Sequence, residues 1–269
     1  MRTFKFTKTI LVVCLALFFM NAFSVGTNTY HTAVKNNITN ESATGSVKDQ
    51  LSTAKKNGNA VFLVITSTNV KEISKLATVA NQANKKVKKS TVIQMNRDDA
   101  ANKELVTQYG LASIAVPFVL VISPKGMAVG GYSASQVTAD LLVKLIPSPK
   151  YDEVLVAINA KKPVFIIAGK KSFTDKASVL TACKVAAKAV VNTPVIIEVD
   201  MSDVKEADFL KQMGVNTLST KTVTVVVNST GNITGTFNGE QPAKTLSDAA
   251  NKIIKKSCCP SGSKSGCSK

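Results

Sequence analysis

The sequence predicts an α/β protein of two tandem copies of one unit, each a mixed central sheet flanked by helices. Three observations predict it. Continuous apolar runs rich in β-branched residues recur at 61–65 (VFLVI) and 164–167 (VFII), as strands buried on both faces require. Each run is followed by a helical spacing of apolar residues, over 70–89 and 174–191. The same order of further signals then repeats with a period of roughly 104 residues.

Taken in order, a second buried strand is expected at 91–95 (TVIQM) and 194–199 (PVIIEV). The closest echo follows. Asn96-Arg97-Asp98-Asp99 leads through Leu105 and Tyr109 to Gly110-Leu111, and Asp200-Met201-Ser202-Asp203 leads through Phe209 and Met213 to Gly214-Val215. The acidic residues suit a helix N-terminus, and the glycines suit the position past its end where φ is positive. A hairpin comes next. Strand 116–122, turn SPKG and strand 127–132 match strand 222–227, turn NSTG and strand 232–237. A last amphipathic helix closes each copy, at 134–146 and 243–255, giving the order β-α-β-α-β-β-α. Pro147-Ser148-Pro149 marks the hinge, so the copies occupy about residues 47–149 and 150–256.

This order, with the D…L…YG(L)…P-F-apolar strand…G pattern in its middle, resembles the thioredoxin superfamily, and does so twice. Two such units in series also resemble the non-catalytic middle domains of protein disulfide isomerases, or a tandem disulfide oxidoreductase. Active members open the first helix with Cys-x-x-Cys, where the helix dipole and free N–H groups stabilise a thiolate. The matching segments here, 66–72 (TSTNVKE) and 169–175 (GKKSFTD), contain no Cys. The resemblance therefore implies a chain without dithiol catalysis at either expected position, and no catalytic residue is assigned. It also implies a cis bond at Val116–Pro117 and a groove edge there able to pair with an extended peptide. The second copy has Thr220-Lys221-Thr222 in its place.

Five Cys are present. Cys14 lies in an apolar run, and Cys183 on an Ala/Val-rich helix reads as a buried apolar thiol. Cys258, Cys259 and Cys267 stand in a Ser/Gly/Lys tail, 257–269, with no apolar core residue. The lysines around them favour thiolate. Three readings stay open for the tail: disulfide cross-linking, ligation of a soft or borderline ion such as Cu or Zn, and a labile redox arm.

At the N-terminus, Arg2, Lys5 and Lys8 precede an apolar run, and Ala22-Phe23-Ser24 supplies small residues at a cleavage site. This pattern predicts a secretory signal peptide over 1–24, cleaved after Ser24, and an extracytoplasmic (periplasmic or secreted) protein. A leader rich in Asn, Thr and Ser follows over 25–46. The 269 residues carry 34 Lys+Arg against 17 Asp+Glu, one His and no Trp. The formal charge of +17, or +14 without the signal, implies attraction to an anionic cell-envelope polymer or membrane surface. Nucleic acid is not expected, because Arg97 is the only Arg after the signal and no aromatic-studded basic stripe exists. The expectation is a non-catalytic binding or assembly module, with a protein partner or self-association and a tail for cross-linking or thiolate ligation. The alternatives are a thiol-disulfide oxidoreductase and a metal-handling protein, both using the tail.

Overall fold

A computed structural model describes residues 45–69 and 73–254. The chain divides between Pro147 and Ser148 into two compact units. The first contains α1 (Val47–Lys56), β1 (Ala60–Thr66), α2 (Ser74–Lys86), β2 (Ser90–Asn96), α3 (Lys103–Gln108), β3 (Phe118–Ile122), β4 (Ala128–Ser133) and α4 (Ala139–Lys144). The second repeats this series as α5 (Pro149–Asn159), β5 (Val164–Gly169), α6 (Lys176–Ala187), β6 (Val195–Asp200), α7 (Ala207–Gln212), β7 (Val223–Val227), β8 (Ile233–Asn238) and α8 (Ala243–Asn251).

Each sheet has four strands, in the orders β2-β1-β3-β4 and β6-β5-β7-β8. The first two strands of each copy pair in parallel, and the hairpin strands join antiparallel. Every residue of β1 and of β5 is buried, because helices cover both faces. Alternate side chains serve the two layers. Val61, Leu63 and Ile65 pack with Ala54 of α1 and Leu105 of α3, while Phe62 and Val64 pack with Leu76 and Ala80 of α2 and Leu142 of α4. In the second unit, Val164 and Ile166 face Val154, Ala157 and Phe209, and Phe165 and Ile167 face Val179, Cys183 and Leu246.

The structure adds a helix in front of each copy that the strand-first order lacks. α1 has only one fully buried residue, Ala54, with Val47 and Leu51 half-buried against the core. Its apolar signal is thin, and its clearest mark is the cap: Ser46 Oγ accepts from the N–H of Asp49 and donates to that residue's carboxylate. α5 begins inside the expected hinge, with Ser148 as its cap and Pro149 in its first turn. The other helices are shorter than their apolar spacing suggests. Thr138 caps α4, so that helix starts at Ala139 rather than 134. The acidic and glycine signals behave as read: Asp99 accepts from Ala101 N–H and Asp203 from Lys205 N–H, both at 2.9 Å, and Gly110 and Gly214 have φ of 63° and 72°.

Candidate functional site

In each unit the loop after the central strand, the start of the following helix and the segment entering the hairpin meet at one end of the sheet. In the first unit that end is held by short polar contacts. Thr68 N–H donates to Asp98 Oδ2 at 2.9 Å, and Asn102 Nδ2 donates to the carbonyl of Asn96 at 2.9 Å. The Arg97 guanidinium donates to the carbonyls of Leu111 and Ile114, tying down the loop that leads to the hairpin. Val116 and Pro117 follow, joined by a cis peptide bond, and both are half-buried just ahead of the ladder that begins at Phe118. Helix α2 opens at Ile73 with no side-chain cap.

The second unit fills the equivalent place differently. Asp175 stands before α6, and its carboxylate turns to the segment entering β7 instead of capping its own helix. Both of its oxygens accept from the backbone N–H of Thr222, at 3.2 and 3.1 Å, and Oδ1 also accepts from Thr222 Oγ1 at 2.7 Å. The Thr222 carbonyl is taken by the N–H of Gly239 at 2.7 Å. Thr222 is fully buried. Where an extended peptide would need a free backbone edge, this unit has bonded that residue to itself. The pairing spans 47 residues and carries no sequence signal beyond an acidic residue at a helix start.

Among the described residues the one free cysteine is Cys183. It lies on the second core layer with no exposed surface. Burial pushes its thiol from an ordinary 9.0 up to about 11, against a smaller opposing effect of the neighbouring Thr224 hydroxyl. That hydroxyl is itself buried with no hydrogen bond of proper geometry, so its contact with the thiol is weak. Cys183 should therefore resist a thiol-specific reagent in the folded protein and react within the dead time in denaturant; comparable rates in both would remove it from the core. The folded state holds this proton more tightly than the unfolded chain. Stability is thus unaffected by Cys183 below about pH 9 and falls as pH rises towards 11. Replacement by Ala should abolish that alkaline component in denaturant titrations.

Cys258, Cys259 and Cys267 lie outside the described residues, as do the first 44 positions. Among the described residues no three His, Cys, Asp or Glu side chains come together as a metal-ligand group, and no helix is long and apolar enough to cross a membrane. Asn228, which opens the N-x-Ser/Thr glycosylation pattern Asn228-Ser229-Thr230, is buried. Its Oδ1 accepts from Thr230 and Asn232 N–H, and its Nδ2 donates to the carbonyl of Lys252 at 2.8 Å. In the folded unit that amide nitrogen is committed to the end of α8, while the amide oxygen holds the turn.

The strand orders, the helices on both faces and the hairpin entered through Pro117 define two tandem thioredoxin-like folds. No protein-family model and no curated protein matches the chain. Among solved structures, the first two thioredoxin domains of Naumovozyma dairenensis Eps1p are similar at 13% identity and a TM-score of 0.27, covering 75% of this chain and 94% of that one. The zinc-bound form of human ERp44 is similar at 10% identity and a TM-score of 0.33, covering 76% of this chain and 57% of that one. An N-terminal domain of the Enterococcus faecalis alkylhydroperoxide reductase AhpF is similar at 11% identity and a TM-score of 0.24, with coverages of 77% and 100%. Scores this low transfer nothing from those proteins, and the fold rests on this chain's own strand order.

Proposed function

We propose that this is an extracytoplasmic protein whose two thioredoxin-like units act as a non-catalytic binding or assembly module, with Cys258, Cys259 and Cys267 supplying cross-linking or thiolate ligation. One observation carries the reading. The thioredoxin reaction needs a low-pKa, accessible thiol at the start of the helix after the central strand. The segments 66–72 and 169–175 contain none, and the one cysteine inside the described fold is buried with its thiol pushed up to about 11. The polar residues at those positions are used as structural ties, Thr68 to Asp98 and Asp175 to Thr222.

The rival reading places the chemistry in the tail, favoured by three Cys within ten residues flanked by Lys255, Lys256, Lys264 and Lys269. Insulin reduction by the full chain separates the two. The assembly reading expects no turnover above the background of free thiols, and reduction-sensitive multimers that vanish when Cys258, Cys259 and Cys267 are changed to Ser. Turnover that is lost in the same triple variant would overturn it in favour of an oxidoreductase. A Cu- or Zn-sized mass increment in the native protein, lost with residues 257–269, would make the tail a metal ligand set.

A further inference from the structure

Several exposed lysines of the first unit gather at one end of its sheet. Parallel pairing of Ala60 with Ser90 places the starts of β1 and β2 side by side, and antiparallel pairing of Val61 with Ile122 brings the β3–β4 turn beside them. All three connections that meet there are basic. Lys55 and Lys56 end α1, Lys85 and Lys86 end α2, Lys88 and Lys89 enter β2, and Lys125 lies in the hairpin turn. The carbonyl of Lys89 accepts from the N–H of Ala60 at 3.0 Å, and Lys55 lies across Gly126, where an added Cβ would stand 3.6 Å from its Nζ. All seven side chains are exposed.

The acidic residues are elsewhere. Asp49 is in the first turn of α1, at the far end of that helix, and Asp98, Asp99 and Glu104 follow the opposite end of β2. Of the described acidic residues of the first unit, Asp140 reaches the basic end, through Lys86 at 2.5 Å. Among the described residues of the first unit, Lys55, Lys56, Lys85, Lys86, Lys88 and Lys89 therefore gather at this end beside one carboxylate, Asp140. Offsetting a helix dipole accounts for lysines in the last turns of α1 and α2, but not for Lys88 and Lys89, which add repulsion with no helix to serve.

What surrounds the lysines narrows the partner. The segments 55–60, 85–90 and 122–127 hold no aromatic residue and no Arg, so base stacking and bidentate phosphate recognition are absent. All the large apolar side chains exposed in the described structure belong to the second unit, so this end offers nothing to insert into a bilayer. Separate, hydrated point charges on three loops suit a flexible chain of anionic groups. We propose that this end of the first unit binds a linear non-nucleic polyanion bearing phosphate or sulfate groups. The proposal is independent of what the C-terminal cysteines do.

The test uses the full chain with inorganic polyphosphate as the phosphate probe and heparin as the sulfate probe, titrated at several salt concentrations. The variant Lys85→Gln, Lys86→Gln, Lys88→Gln, Lys89→Gln is compared with Lys161→Gln, Lys162→Gln, Lys170→Gln, Lys171→Gln, which removes the same charge from the second unit. Circular dichroism checks that both variants stay folded. The first variant is expected to lose affinity about tenfold or more and to flatten the dependence of log K on log salt by roughly three, through lost counterion release. The second should change affinity less than about threefold by the same logic. Equal losses in both variants would reduce the effect to net charge and overturn the proposal. So would the absence of binding to either probe at low salt, or tighter binding to anionic phosphatidylglycerol vesicles or single-stranded DNA than to both probes at matched salt.

Discussion

Asp175→Ala is expected to destabilise the second unit by about 2–4 kcal/mol, because it strips partners from two buried donors at once. The Thr222 N–H and hydroxyl both point to this carboxylate, and Thr222 has no exposed surface through which water could replace it. A charged acceptor makes each bond stronger than a neutral one, and the cost of leaving a buried donor unmade exceeds the gain of making it. Asp175→Asn keeps one acceptor oxygen and should cost roughly half as much on the same reasoning. Because the chain has two units, a single unfolding midpoint would mix their contributions. Hydrogen exchange read at the Thr222 amide and along β7 isolates the effect. Faster exchange there, with β1 to β4 unchanged, is the expected pattern. An unchanged Thr222 amide in Asp175→Ala would show that the carboxylate does not hold the entry to β7. The same variant frees a backbone edge, so any extended peptide that binds the second unit should bind it better in Asp175→Ala than in the parent.

The strands and their order were legible because their signal is local and redundant. β1 and β5 are apolar at every position, since both faces are covered, and the positive φ of Gly110 and Gly214 singles out glycine at the same point of each copy. α1 and α5 were not legible for the opposite reason. A helix on the outside of a two-layer core needs only two or three buried side chains, and α1 spends most of its ten residues on polar ones. Its capping serine was the available clue. At the candidate site the absence of Cys could be read directly, whereas the use made of the vacant positions could not. Ile73 and Asp175 both precede the second helix of their copies, and Pro117 and Thr222 both enter the hairpin, yet only the second pair is joined by hydrogen bonds. That choice depends on contacts made across the fold. The lysine clusters were visible as short runs, but their convergence on one end of the sheet needed the pairing register.

Glu206→Ala is expected to cost the second unit a further 2–4 kcal/mol or so, at a site independent of Asp175. Glu206 is 2% exposed, and among the described residues no basic side chain is bonded to it; instead it closes the N-terminus of α5. Ser148 Oγ donates to Oε2 at 2.5 Å while accepting from the Tyr151 N–H, and the Lys150 N–H donates to Oε1 at 3.0 Å. A buried carboxylate is tolerated there because the unpaired N–H groups and the positive end of the helix dipole supply what a cation would. Removing it leaves Lys150 N–H without its acceptor and turns Ser148 into a cap with no anchor. It also unties α5 from the turn before α7, whose Phe209 stacks on Tyr151 with ring centroids 5.3 Å apart. The first copy has Asn102 at the matching position, and it donates to its own loop at Asn96 rather than reaching α1. Asn102→Ala should therefore leave α1 protected from exchange, while Glu206→Ala exposes the first turn of α5. Near-ultraviolet circular dichroism of Tyr151 should weaken in the latter alone. If α5 stays fully protected in Glu206→Ala, the Ser148 cap suffices by itself, and the carboxylate must be explained by something other than this helix.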